Sequence, residues 1–289
     1  MNYLLHILIM CAIYLILALS LNLLIGFTGL LSIAHAAFYG IGAYISTLLM
    51  VKMGFNFFLT IPLAILGSMI FAVIVALPSL RLKGDYFLLS TLAFQVIVFS
   101  ILYNWIALTR GPYGIPGIPK PKIFGFEFGE IPVYFILAVV IAFLIFLIFK
   151  QLYASPFGRV LKSIREDEIV ANALGKDPTK FKIEAFIIGG GLAAIAGSLY
   201  ASYVTYIDPT SFTLDESVFI LSIIIIGGTG NLKGPLIGTI IMLFLPEILR
   251  FLRIPDTIAA NMRQIIYGAL LVILMRLRPQ GILGEYRFE

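Results

Sequence analysis

Residues 131–149 read IPVYFILAVVIAFLIFLIF, with no charged side chain. A run of roughly 18 or more apolar residues is long enough for a helix to cross about 30 Å of hydrocarbon. No water is present at that depth to satisfy exposed backbone groups, so such a segment must be helical. Comparable runs place further spans at residues 3–25, 30–50, 57–77, 86–106, 183–204, 235–252 and 258–275. A shorter run, 217–226, cannot cross at about 1.5 Å per residue and reads as a half-helix or re-entrant element. The runs are continuous rather than alternating, which excludes a β-barrel. A soluble domain carries charge on about a quarter of its residues; here only 12% of 289 residues are charged, 61% are hydrophobic and the mean hydropathy is +1.05. The chain therefore reads as an all-α polytopic membrane protein of about 8–9 transmembrane or half-spanning helices, with residues 1–289 forming one transmembrane domain.

Lys and Arg set the orientation, because cytoplasmic loops are enriched in both. Residues 150–182 form a polar island with Lys150, Arg159, Lys162, Arg165, Lys176, Lys180 and Lys182, and are placed in the cytoplasm. Arg81 and Lys83 mark a second inside loop, and Arg276, Arg278 and Arg287 place the C-terminal end inside. Residues 206–217 carry Asp208, Asp215 and Glu216 with no basic residue, and are placed outside. Counting back puts the N-terminal end outside, and Arg250, Arg253 and Arg263 then fall outside, against the rule. The connection 107–130, ALTRGPYGIPGIPKPKIFGFEFGE, is external. Its Pro and Gly density favours extended, turn-rich backbone. It reads either as a passive connector or as a surface for an extracytoplasmic partner. The net charge of +5 comes from positives beside helix ends and gives no reason to expect nucleic-acid binding.

The chemistry-bearing inventory is sparse. One cysteine, Cys11, and two histidines, His6 and His35, make no metal or triad constellation. Residues 227–234 are glycine-rich and include Lys233, but lack the G-x-x-x-x-G-K-[ST] spacing that cradles phosphates. No catalytic residue, metal site or cofactor is expected, and a chain-borne enzyme activity is not.

Two glycine elements echo each other: IGFTG at residues 25–29 and IGGTG at 226–230. Each follows an apolar run and precedes a helix rich in small residues. A related echo links RLKG at 81–84 with RLRPQG at 276–281, so an internal repeat is one reading and chance the other. Glycines end helices and expose backbone groups. Broken helices at membrane depth persist only where they are buried in protein or line a cavity. The elements are thus either tight turns or substrate-facing breaks. On the second reading the pathway candidates are Asn22, Gly26, Thr28, Gly29, Ser32, His35, Gly227, Gly228, Thr229 and Gly230. The small residues Gly189, Gly190, Gly191, Ala193, Ala194, Ala196, Gly197 and Ser198 permit close helix approach, within the chain or at a seam between chains.

In the island, Ser155 and Pro156 suit an N-cap and first helical position, and Gly175 suits a terminator. Between them Val160, Leu161, Ile164, Ile169, Val170, Ala173 and Leu174 recur among charges over residues 160–174. This amphipathic helix can lie on anionic lipid or enter a groove on a partner. The acidic Glu166–Asp167–Glu168 weakens the lipid reading.

SLNLLIGFTGLLSIAHAAFYGIGAY, LRLKGDYFLLSTLAF, GPYGIPGIP, SPFGRVLKSIREDEIVANALG, IIIIGGTGNLKGPLIG and RLRPQGILG, taken in order, cover most of the chain. Together they resemble permease subunits of ABC importers for branched-chain amino acids, of the LivM type. The resemblance implies a multi-pass permease domain of the cytoplasmic (inner) membrane, with a cytoplasmic coupling loop at 150–182 and an external loop at 107–130. It implies pairing with a paralogous permease in a heterodimer, two cytoplasmic ATP-binding subunits that hold the ATP, and an extracytoplasmic amino-acid-binding protein, all on a lipid membrane. It also implies that Gly158, Arg159, Arg165, Glu166, Glu168, Ala171 and Gly175 serve ATPase coupling, although Glu168-Ile169-Val170-Ala171 departs from the general glutamate–alanine–alanine form. Leucine, isoleucine and valine are the implied cargo. The rival reading is an ion-coupled carrier or facilitator of small amino acids or amides such as urea.

Overall fold

The computed structural model describes residues 2–82, 84–123, 125–251, 265–266, 268–269, 272–273, 276 and 280–284, with residues 248–251 as backbone only. Arg253, Arg263, Arg278, Arg287 and much of the expected span 258–275 lie outside the described residues. In chain order the helices are α1 (Asn2–Thr28), α2 (His35–Met53), α3 (Phe57–Ser79), α4 (Asp85–Asn104), α5 (Ile106–Thr109), α6 (Ile131–Ala154), α7 (Pro156–Glu166), α8 (Glu168–Ala173), α9 (Pro178–Val204), α10 (Leu214–Gly227) and α11 (Lys233–Phe251). Six of them, α1, α2, α3, α4, α6 and α9, are long and apolar enough to cross a bilayer.

The core is built around α9, which packs on α1, α2 and α3. Its small residues make this possible. The Cα of Gly189 faces the Ser20 carbonyl, and that of Gly190 sits against Ala72 and Phe38, where even a methyl group would be in tight contact at 3.1 Å. Helices α3, α4 and α6 form the outer layer and expose Leu66, Ile70, Ile97, Ile101, Ile136 and Phe143. Such a surface is solvated by lipid tails, not water.

The sidedness of the elements is internally consistent. The end of α1 meets α7 through Arg165, which donates to the Gly26 carbonyl. The start of α1 meets α11 through Tyr3, whose hydroxyl donates to Glu247. Helix α1 thus runs toward α7 and α11 away from it. At the opposite end, the 107–130 connection carries three short strands. Strand β1 (Ile115–Pro116) pairs with the segment after α9, while β2 (Lys122–Ile123) and β3 (Phe126–Glu127) form a hairpin. The partner of β1 is β4 (Tyr206–Ile207), in antiparallel register Ile115↔Ile207. Asn56, the N-cap of α3, donates to the Lys122 carbonyl and ties the hairpin to the bundle.

Three boundaries differ from the sequence reading. Helix α1 continues through Gly26 to Thr28, and the chain leaves it only at Gly29, whose φ of 72° favours glycine. The expected island helix over 160–174 is two helices. Asp167 is extended (φ −154°, ψ 110°) and its carboxylate accepts from Ile169 and Val170 N–H at 2.8 and 3.0 Å, capping α8. The side-chain cap competes with continued helix and turns the chain. Finally, residues 206–217 do not all lie outside. After β4 the chain folds back into the bundle, so Glu216 bonds Tyr14, midway along the roughly 40 Å of α1.

Candidate functional site

Two non-helical connections sit inside the bundle, and their backbone groups need partners there. In the first, residues 29–34, Ile33 N–H donates to Thr91 Oγ1 (3.2 Å) and Ala34 N–H to Ser32 Oγ (3.3 Å). Helix α2 then begins beside Ser20, whose hydroxyl and His35 Nε2 are 2.6 Å apart. Ser20 lies about 12 Å before the end of α1, so α2 starts well inside the membrane. The second connection reaches the same depth from the other side. Ala36 N–H, in the first turn of α2, donates to Ser217 Oγ in the first turn of α10 (3.0 Å). Ser217 in turn donates to Gln95 Oε1, and Gln95 Nε2 donates to the Phe212 carbonyl at 2.8 Å. The N-terminal ends of two discontinuous helices therefore meet within the membrane.

The two glycine elements also meet, at the end of the bundle nearest α7. Asn22 joins them. Its Oδ1 accepts from Gly230 N–H (3.2 Å) and its Nδ2 donates to the Asn231 carbonyl (2.8 Å). Gly26 has to be glycine because a Cβ there would meet Gly230 N at 2.5 Å. Arg165 closes the group from below, its side chain only 8% exposed, by donating to the Gly26 carbonyl while pairing with Glu166. On the α10 side, Gly227 ends the helix, Gly228 takes φ 104° and Gly230 φ 89°. The chain segment 280–284 seals this turn: Ile282 and Leu283 N–H donate to the Ile226 and Gly227 carbonyls, each at 3.0 Å. Below it lies a cleft of about 490 Å³ bounded by Phe27, Tyr153, Lys162, Asn231, Lys233 and Leu283.

The structure thus gathers Asn22, Gly26 and Gly227–Gly230 into one closed contact. Thr28 hydrogen-bonds within α1, to the Leu24 carbonyl, and Gly29 is exposed. Ser32 and His35 stand apart, in the first connection and at the start of α2. Asn22→Ala removes both bonds to the opposing turn and leaves the buried Gly230 N–H and the partly buried Asn231 carbonyl without their partner. A loss of about 1–3 kcal/mol is expected, read as a Tm lower by a few degrees in detergent.

The residues expected to serve coupling divide by exposure. Gly158 is buried in the elbow between α6 and α7, where a Cβ would meet the Leu152 carbonyl at 2.6 Å. Ser155 caps α7, accepting from Gly158 N–H. Leu161 and Ile164 turn inward, and Ala171 is buried. Arg159 reaches back to the Ala154 carbonyl, Glu168 pairs with Lys182 at 2.6 Å, and Gly175 takes φ 76° at the end of α8. Composition alone did not single out what α8 presents outward: Ile169 (82% exposed), Leu174 (71%) and Val170 (52%) form an apolar tip beyond the bundle. The bend at Asp167 separates α8 from the end of α7.

A bundle of membrane-spanning helices with two internal breaks and a closed glycine contact is the architecture of a multi-pass membrane protein, and the family match makes it a transport permease of the cytoplasmic membrane. The family described as branched-chain amino acid transport system / permease component matches residues 3–275, and the chain belongs to it, in the LivM-type branch. It is 34% identical to the high-affinity branched-chain amino acid transport system permease protein LivM of Salmonella typhimurium, over 96% of this chain and 69% of that protein. It is 29% identical to the probable branched-chain amino acid transport permease protein LivM of Methanocaldococcus jannaschii, over 96% of this chain and 92% of that protein. The probable LivH permease of the same archaeon is 25% identical over 77% of this chain and 72% of that protein. No solved structure matches the chain.

Proposed function

We propose that this permease forms one half of an ATP-driven importer that carries leucine, isoleucine and valine into the cell, paired with a LivH-like permease. The ATP is held on separate cytoplasmic subunits, and an extracytoplasmic binding protein delivers the amino acid. The observation that carries this reading is the apolar tip of Ile169, Val170 and Leu174, mounted on a helix pair that touches the glycine contact through Arg165. Exposed apolar side chains on the polar side of a membrane protein mark a protein-binding surface. A motor bound there can move the Gly26–Gly230 contact only by favouring one of its two arrangements, because a partner shifts an equilibrium by its differential affinity.

The pathway residues are Asn22, Gly26, Thr28, Gly29, Ser32, His35 and Gly227–Gly230, with Asn22 and the glycines acting as the inner closure. Coupling runs from the α8 tip through Glu168, Glu166 and Arg165, with Gly158, Arg159, Ala171 and Gly175 shaping the helix pair. Support for the external side comes from the ordered platform of β1, β4 and the β2–β3 hairpin. The test is purification with the products of neighbouring genes, followed by uptake assays in proteoliposomes. An ATPase should co-purify, and ATP-dependent uptake should favour leucine, isoleucine and valine over urea. Uptake that follows an ion gradient without any ATPase would instead identify an ion-coupled carrier.

A further inference from the structure

Glu216 is half-buried beside the centre of α1, and Tyr14 donates to its Oε1 at 2.5 Å. Among the described residues it makes no ion pair. A carboxylate at that depth needs a proton, a cation or a water-filled path. Tyr39, on α2, is 1% exposed, and its hydroxyl has no hydrogen-bond partner. Tyr39 lies one turn beyond Ala36, whose N–H bonds Ser217, the residue after Glu216. A buried hydroxyl without a partner is rare in folded proteins and calls for an explanation.

The surroundings suit a cation. The Tyr39 ring lies 5.0 Å from Phe212 and 5.5 Å from Tyr200, and the Tyr14 ring meets Phe219 edge-on at 5.3 Å. Aromatic faces attract ammonium groups, more so when these are stripped of water. Asp215, next in the chain, is exposed on the same first turn of α10 and adds negative charge at the mouth. Glu216 and Tyr14 are each partly exposed, while Tyr39 is buried.

We propose that Glu216, Tyr14 and Tyr39 form an intramembrane recognition point for a primary alkylammonium group. The carboxylate balances the charge, and the Tyr39 hydroxyl accepts one N–H. For the identity of the natural ligand this rests on the importer reading: the ammonium group is that of an amino acid in transit. The side chain of the cargo then meets apolar surface while its charge is held here.

The test uses the complete transporter in lipid nanodiscs, with 3-methylbutylammonium as probe and 4-methylpentanoate as control. These are the leucine skeleton without its carboxylate and without its ammonium group. The ammonium compound is expected to raise the Tm of the wild type. That rise should vanish in Tyr39→Phe and in Glu216→Gln, and the carboxylate compound should give no rise that depends on either residue. In proteoliposomes, leucine imported per ATP hydrolysed should fall about tenfold in both variants, the loss expected for one charge-assisted contact. If Glu216→Gln fails to assemble, Tyr39→Phe decides the matter, since it removes no bond that the ligand-free fold uses. A probe response that survives Tyr39→Phe, with uptake per ATP within about twofold of wild type, overturns the site. A Tyr39-dependent probe response in a wild type that does not import leucine leaves the site standing and removes the amino-acid reading instead.

Discussion

Gly197→Val is expected to prevent this permease from accumulating as a folded membrane protein. The reason lies in how α2 and α9 cross. A Cβ on Gly197 would overlap the carbonyl oxygen of Tyr39 and come within 2.6 Å of the Ala43 nitrogen. On the facing helix, a Cβ on Gly42 would lie 2.5 Å from the Ala194 carbonyl oxygen and 2.6 Å from its Cβ. The obstacles are backbone atoms and a methyl group, which cannot rotate away. The helices must separate, and the whole α2–α9 seam loses contact. In a bilayer this matters more than in water, because lipid tails supply no hydrophobic force to push helices together and packing carries the association. Overpacking a core commonly costs about 1–3 kcal/mol, and a forced backbone displacement at the central crossing exceeds that range. Gly42→Val should behave alike. Gly268→Ala, at an exposed helical position with nothing within 4 Å, is the control and should be neutral. Fluorescence-detected size exclusion of tagged variants reads the outcome. A normal monodisperse peak for Gly197→Val would mean that α2 and α9 do not cross as described.

The same crossing explains what could be read from the sequence and what could not. The run of small residues in α9 announces close packing, and the apolar runs announce the spans, because both are local properties of the chain. Ser155 and Gly175 are likewise legible: a cap and a left-handed terminator need only their neighbours. Glu216 was not legible. A short acidic stretch with no basic residue reads as an outside loop, and only Tyr14, far away in the chain, shows that it has returned to the middle of the membrane. Asn22 lies between these cases. Its polarity inside a span marks it, but its partners Gly230 and Asn231 come from the other glycine element and are visible only once the two are brought together. The resemblance points to Gly158, Arg159, Arg165, Glu166, Glu168, Ala171 and Gly175, whereas exposure falls on Ile169, Val170 and Leu174. Apolar residues at helical spacing normally predict the buried face. Here the bend at Asp167 ends one amphipathic helix and restarts another, so the inward face of α7 is not continued by α8.

That reversal supplies the second large effect. Ile169→Asp combined with Val170→Asp is expected to abolish ATP-dependent uptake while leaving the permease folded and in the membrane. Both residues lie in the first turn of α8, where the N–H groups point toward Asp167 and negative side chains are favoured by the helix dipole. Both are more than half exposed, so the isolated chain loses almost no buried area. Surface changes of this sort usually move stability by no more than about 0.5 kcal/mol. A partner that covers the tip sees the opposite. It must bury two carboxylates where it had apolar contacts, and truncating such central contacts alone commonly costs about 2 kcal/mol or more. Each 1.4 kcal/mol is about tenfold in affinity, so the ATPase should be lost from the complex on purification. Membrane yield and Tm should match the wild type. Retained ATPase with normal uptake would show that α8 is not where the motor grips. Retained ATPase with lost uptake would keep the grip and place the defect in transmission, between the tip and the bond from Arg165 to Gly26.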